Sequence, residues 1–250
     1  MGKLIKFEFY KLIKNRAFYI CLGVLLLLSG LGIYLNEMLK EEIGALAIDM
    51  TRLSCVMTSV PTSSISMMLG IFISLFVCED YTVGTIRTIL ARGYSRFEIF
   101  FSKYLAVLAT ALVMTVAVQF FALMLGIFFF LGDEVSFGGE QIRILLCQFV
   151  VVIAYTSLFF AVATMLQKTG TSIAFCVVIP MLLSILLQVL DMAFVEKEIV
   201  VSAYWLDGLA SSISGVTVKS HDLNVALFSS LAYIVVSLVG GWFGSVDNEY

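Results

Sequence analysis

The chain has 250 residues and a net charge of −3, with 61% hydrophobic and only 13% charged side chains. Soluble domains carry about twice that charged fraction, and a mean hydropathy of +1.05 excludes a water-soluble globular fold. The apolar runs do not alternate with a period of two, which excludes a membrane β-barrel. The expected fold class is therefore all-α integral membrane, with each helix needing about 20 apolar residues to cross the bilayer core.

The first 16 residues, "MGKLIKFEFYKLIKNR", place Ile5, Phe9, Leu12 and Ile13 on one helical face, with Lys3, Lys6 and Lys14 opposite. This pattern predicts a helix in the membrane interface, apolar side inward and lysines towards anionic headgroups. Six apolar runs follow, over residues 17–35, 56–78, 104–131, 144–166, 172–190 and 223–243. The first is longer than a signal-peptide core and has no small-residue exit before "NEMLKEE", so an uncleaved span is expected. In the second, "TSVPTSS" (Thr58 to Ser64) makes the first third polar. The fifth is short and contains Pro180, which predicts a kink.

Charge distribution sets the orientation. With the N-terminus inside, Lys3, Lys6, Lys11, Lys14, Arg16, Arg87, Arg92, Arg96, Lys103 and Lys168 are cytoplasmic. Lys40, Arg52, Arg143, Lys197 and Lys219 are then outside, and ten against five satisfies the positive-inside rule. Six spans put both termini in the cytoplasm. Short loops and basic flanks point to a bacterial inner membrane, the plasma membrane of the cell.

Residues 79–103 would then be a cytoplasmic loop. The stretch from Cys78 to Tyr104 holds seven of the 33 charged side chains. Glu79 and Asp80 close the second span, and Thr82 or Thr85 is a candidate N-cap for a short helix. Val83, Ile86, Ile89 and Leu90 give that helix an apolar stripe, and Gly93 is placed to stop it. Ser95-Arg96-Phe97-Glu98 has the form of a capping box for the third span. So short a helix needs a surface for its stripe. The span ends, the lipid interface and a cytoplasmic partner all remain open on these residues alone.

The same loop resembles that of ATP-binding-cassette (ABC) type-2 permeases, the membrane subunits of exporters. Their pattern is an acid, then G-T-[IL]-[RK], then S-R, then a lysine entering the third span. Here it is matched by Glu79, Gly84-Thr85-Ile86-Arg87, Ser95-Arg96 and Lys103. Gly93-Tyr94 departs from it, because many relatives have proline there. The resemblance implies a coupling helix docking into a separate cytoplasmic ATPase, with Glu79, Gly84, Thr85, Ile86, Arg87, Ile89, Leu90 and Arg96 at the contact. It also implies two such ATPases and a second permease, a copy of this chain or a related one. Re-entrant helices are implied over residues 191–222. The cargo it suggests is an antimicrobial or amphipathic peptide, as in bacitracin and lantibiotic-immunity exporters.

No G-x-x-x-x-G-K-[ST] occurs. The chain is therefore expected to be no enzyme and to bind no cofactor, with ATP and magnesium handled by the partner. The five cysteines are scattered without ligand spacing, and the single histidine, His221, has no second ligand, so no metal site is expected. Nucleic acid is not an expected partner. No Asp, Glu, Lys or Arg lies centrally in a span, which argues against ion-coupled transport. Gln119, Gln148, Ser184 and Gln188 are uncharged polar groups that either join helices or line a substrate path. A membrane scaffold docking some other cytoplasmic partner is the main alternative, and a lipid-acting enzyme a weaker one.

Overall fold

A computed structural model of the protein describes residues 1–43, 52–59, 63–129, 138–193, 201–215 and 218–247. Pro61, Phe130 and Lys197 lie outside the described residues, as do the side chains of Lys40 and Arg52. Among the described residues there are helices and no strands. In chain order they are α1 (Gly2–Lys14), α2 (Arg16–Ile43), α3 (Arg52–Ser59), α4 (Ser63–Thr82) and α5 (Thr85–Ala91). Then come α6 (Arg96–Phe129), α7 (Gly139–Leu166), α8 (Thr169–Ala193), α9 (Leu206–Ser212) and α10 (Ser220–Asp247).

Six of these helices are long and apolar enough to cross a membrane: α2, α4, α6, α7, α8 and α10. The boundaries differ from the sequence expectation chiefly at the second span. There the apolar crossing covers Ile65–Thr82, and α3 covers the residues up to Ser59, with residues 60–62 outside the described set. The later start of the apolar crossing follows from the polar sequence of Thr58 to Ser64. Thr58 Oγ1 donates back to Ser54 O at 2.7 Å and Ser59 Oγ to Val56 O at 2.8 Å, which suits a helix end packed in protein better than one in lipid. The third span begins earlier than expected, at Arg96. At 34 residues, α6 is about 51 Å long, more than the bilayer core requires. Pro180 lies inside α8, which runs through it as one helix.

The core is built around α4 and α7. Phe72, Ile73, Phe76 and Val77 of α4 are fully buried, as are Ala154, Phe160 and Ala163 of α7. By contrast α8 exposes Met181, Leu182, Ile185, Leu186 and Val189, a surface suited to lipid and not to water. Small and hydroxyl side chains join the helices. Tyr104 Oη of α6 and Ser157 Oγ of α7 are hydrogen-bonded at 2.9 Å, and Ser172 Oγ of α8 donates to Ser74 Oγ of α4 at 2.8 Å. The link from α7 to α8 is only Gln167 and Lys168, with Gln167 in the left-handed region at φ 55°.

α10 runs parallel to α7. Cys147 is level with Leu223, and Ala161 with Gly241. The two backbones approach so closely at Gly241 that a Cβ there would lie 2.9 Å from Ala161 Cα. Gly240, one residue earlier, has open space around it. Gly241→Ala is therefore expected to lower stability by about 1–3 kcal/mol through overpacking, while Gly240→Ala is neutral or slightly stabilising. Thermal unfolding of the two variants in detergent checks this, and equal effects would refute the close approach.

Candidate functional site

Three places hold side chains that the bundle alone does not require. The first is α5, with the turns that flank it. Its N-cap is Gly84 in the left-handed conformation at φ 76°, not a threonine. Thr82 instead donates its hydroxyl to Glu79 O at 2.9 Å, and Thr85 is the first helical residue. Glycine fits here because a side chain at such a φ is strained. Gly93, at φ 86°, ends the helix as its sequence position suggests. The capping box is present: Glu98 N–H donates to Ser95 Oγ at 3.2 Å and Ser95 N–H to Glu98 Oε2 at 3.1 Å.

The apolar stripe of α5 faces its own protein. Ile86 and Ile89 are buried, and Ile89 packs with Leu4 of α1 and Ile99 of α6, flanked by Leu90 and Tyr94. Ile86, Ile89 and Leu90 are thus held by the chain itself, and Val83 leaves the stripe with 73% exposure. The outward face consists of Arg87, Thr88, Ala91 and Arg92. Glu79 and Arg96 are exposed nearby, and Thr85 is half-buried.

Directly behind α5 is a buried charge cluster. Asp80, at the end of α4, accepts hydrogen bonds from Lys103 of α6 and Lys11 of α1. Lys103 Nζ also lies 3.4 Å from Glu8 Oε1 of α1. Glu8, Asp80 and Lys103 are no more than 3% exposed. Lys11 Nζ stands 4.9 Å over the Phe76 ring centroid as well. Two acids and two lysines balance, so the three buried charges, Glu8, Asp80 and Lys103, are neutralised with the help of the half-buried Lys11.

This cluster changes the expected face of α1. The helix turns Leu4, Glu8 and Leu12 into the protein, while Ile13 is 61% exposed and Phe7 46%. The face with the acid is the buried one, because Glu8 reaches Lys103. Neither Asp80 nor Glu8 stands out in the sequence as a buried group: Asp80 follows the exposed Glu79, and Glu8 lies in a lysine-rich helix. Lys103 gives a usable signal: it follows Ile99 by one turn on the side of α6 that packs.

The second place is the opposite end of the bundle. A 3-10 turn over Ser202–Tyr204 and then α9 lie across α7, α8 and α10. Leu206, Leu209, Ala210 and Ile213 are buried. Gly208 allows the turn and α9 to touch, because any Cβ there would overlap the Ser202 carbonyl. Asp207 accepts hydrogen bonds from Tyr155 Oη of α7 and Ser184 Oγ of α8. It also lines a cavity of about 420 Å³ between α4 and α8. The apolar walls of this cavity include Met67, Pro180, Met181 and Ile185.

Of the four polar residues proposed for a substrate path, Ser184 and Gln188 line this cavity. Gln148 does not. It is buried, and its Nε2 donates to Met57 O of α3 at 2.7 Å and Ile213 O at 3.1 Å, tying α3 and α9 to α7. Gln119 is apart from the cavity on α6, with a buried amide nitrogen that has no hydrogen-bond partner. Asp207 itself was missed; the available signal was a single acid inside the apolar piece "IVVSAYWLDGLASSI". The third place is a groove between α7 and α10.

Six crossing helices, an exposed short helix at one end and a packed cap at the other define a multi-pass helical membrane protein. The ABC-2 transporter family matches residues 4–186, from α1 into α8, and the chain belongs to that family. It is thus a permease, the membrane subunit of an ABC transporter and not its ATPase, and membership implies a cytoplasmic ABC ATPase as partner. No curated protein matches the chain.

Removing one member of a buried charge cluster leaves its partners uncompensated. Asp80→Asn is expected to cost about 3 kcal/mol and to loosen α1, seen as a lower unfolding temperature and faster proteolysis within residues 1–16. Glu79→Gln, at an exposed position, is expected to change neither. Matching effects would place the structural acid at Glu79 and refute the cluster.

Proposed function

We propose that this permease drives export, with α5 as the coupling helix and the α5 end of the bundle in the cytoplasm. The observation that carries this is the mounting of α5. Ile89 fastens it to α1 and α6, Ile86 is buried beside it, and the Asp80 cluster behind it joins α1, α4 and α6. A push on the outward face of α5 is therefore delivered to several helices at once. Arg87 and Arg92 on that face complement an acidic groove in an ATPase, with Arg96 and Glu79 at the rim. Gly84 and Gly93 supply the turns, and Thr85 starts the helix.

The assembly is two permeases and two ATPases in a bacterial plasma membrane, with both termini of the chain cytoplasmic. ATP and magnesium act in the ATPase. The cargo is an antimicrobial or amphipathic peptide, or a drug of similar character. The cavity lined by Asp207, Ser184 and Gln188 supports that choice, because its walls are mostly apolar and its one carboxylate suits a cationic group.

The tagged full chain, extracted from its native membranes, is expected to bring with it an ATPase carrying a Walker motif. Arg87→Glu combined with Arg92→Glu is expected to reduce recovery by at least about tenfold without changing the unfolding temperature. Absence of any ATPase from stable wild-type protein would overturn the partnership. Undiminished recovery with the charge-reversed chain would overturn the docking face.

In the purified complex, cationic amphipathic peptides are expected to stimulate ATP hydrolysis more than anionic ones of the same length. Asp207→Asn is expected to remove most of that preference. Equal stimulation by both peptides would refute the cargo assignment.

A further inference from the structure

We propose that the groove between α7 and α10, near their N-terminal ends, is a binding site for one anionic phospholipid. It is separate from both α5 and the Asp207 cavity, and it depends on the protein being embedded in a membrane but not on the direction of transport. The groove encloses about 210 Å³.

Its lining is graded from charged to apolar along both walls. On α7 the lining residues Arg143, Leu146, Cys147 and Val150 recur at i, i+3, i+4 and i+7. α10 repeats that spacing with Ser220, Leu223, Asn224 and Leu227. Because the helices are parallel, Arg143 and Ser220 share one level, with Asn224 about a turn below. Leu146, Val150, Leu223 and Leu227 continue the stripe for about 10 Å from the mouth. The floor is closed where Cys147 Sγ meets Leu223 O at 4.0 Å.

The mouth is built for an anion. Arg143 is exposed and offers a guanidinium, the group best matched to phosphate oxygens. Ser220 and Asn224 add two neutral donors. Two helix N-termini meet here, each with a partial positive charge. Among the described residues no carboxylate lines the groove. The nearby acids are Glu140 and Asp222, in the first turns of α7 and α10, and Asp222 lies 3.6 Å from His221.

The apolar half distinguishes a lipid from a free anion. Phosphate would use only the mouth, whereas a phospholipid also lays the start of an acyl chain along the leucines. The rest of the lipid stays in the bilayer.

Native mass spectrometry of the full chain in detergent, titrated with phosphatidylglycerol or phosphatidylcholine of the same acyl chains, provides the test. The first phosphatidylglycerol is expected to bind at least about tenfold more tightly than the first phosphatidylcholine, the value of one charge-assisted contact. Arg143→Gln is expected to abolish the preference while leaving phosphatidylcholine binding unchanged, and Arg143→Lys to keep part of it. Val150→Trp, which fills the groove, is expected to weaken phosphatidylglycerol by a similar factor while leaving the unfolding temperature of lipid-free protein unchanged. Glycerol phosphate at the same concentration is expected not to compete. Equal affinities for the two lipids, a preference that survives Arg143→Gln, or full competition by glycerol phosphate would each overturn the site.

Discussion

Asp80 is the side chain on which the α5 end of this protein depends. It terminates α4, the helix most deeply packed beside α7, and both of its oxygens are taken by lysines from other helices. Neither lysine is local: Lys11 comes from the N-terminal helix and Lys103 from the first turns of α6. A carboxylate in so dry a position is tolerated only because the two cations and Glu8 complete a neutral group. The arrangement fixes where α1 lies, and α1 in turn supplies Leu4 to the cluster that holds Ile89. The short helix thus gets the packing surface that a seven-residue helix needs, from residues far away in sequence.

The opposite end is held by neutral hydrogen bonds and by two acids, Asp207 and Asp191, the second accepting from the backbone N–H groups of Val201 and Ser202. Gln148 joins three elements through backbone carbonyls, and Asp207 joins α9 to α7 and α8 through hydroxyls. Among the described residues no cation pairs with Asp207, unlike Asp80. The two ends therefore differ in kind. One is a closed, charge-balanced block, and the other turns a hydroxyl-bonded acid towards a cavity.

Much of this was legible in the sequence where the signal is local. Six helices follow from hydropathy, because each span needs only its own apolar residues. Gly93 and the Ser95–Glu98 capping box announce their turn through fixed spacing. What was not legible depends on pairing across the fold. The Ile86 and Ile89 stripe was visible, but nothing local says that Leu4 and Ile99 cover it. Glu8 carries no local mark that separates it from an exposed acid, yet it decides which face of α1 is buried. Gln148 and Ser184 are both polar groups in apolar runs, and only the packing of α9 separates a structural tie from a cavity wall.

The shortness of the link between α7 and α8 limits how this molecule can change shape. Gln167 and Lys168 can bridge no more than about 7 Å even when stretched, and the left-handed turn at Gln167 uses less. The two helices behave there like covers joined at a spine. α8 can tilt away from the core only by swinging its far half, where Pro180, Ser184 and Gln188 lie. Any opening of the cavity is therefore wedge-shaped, wide at the Asp207 end and closed at the spine.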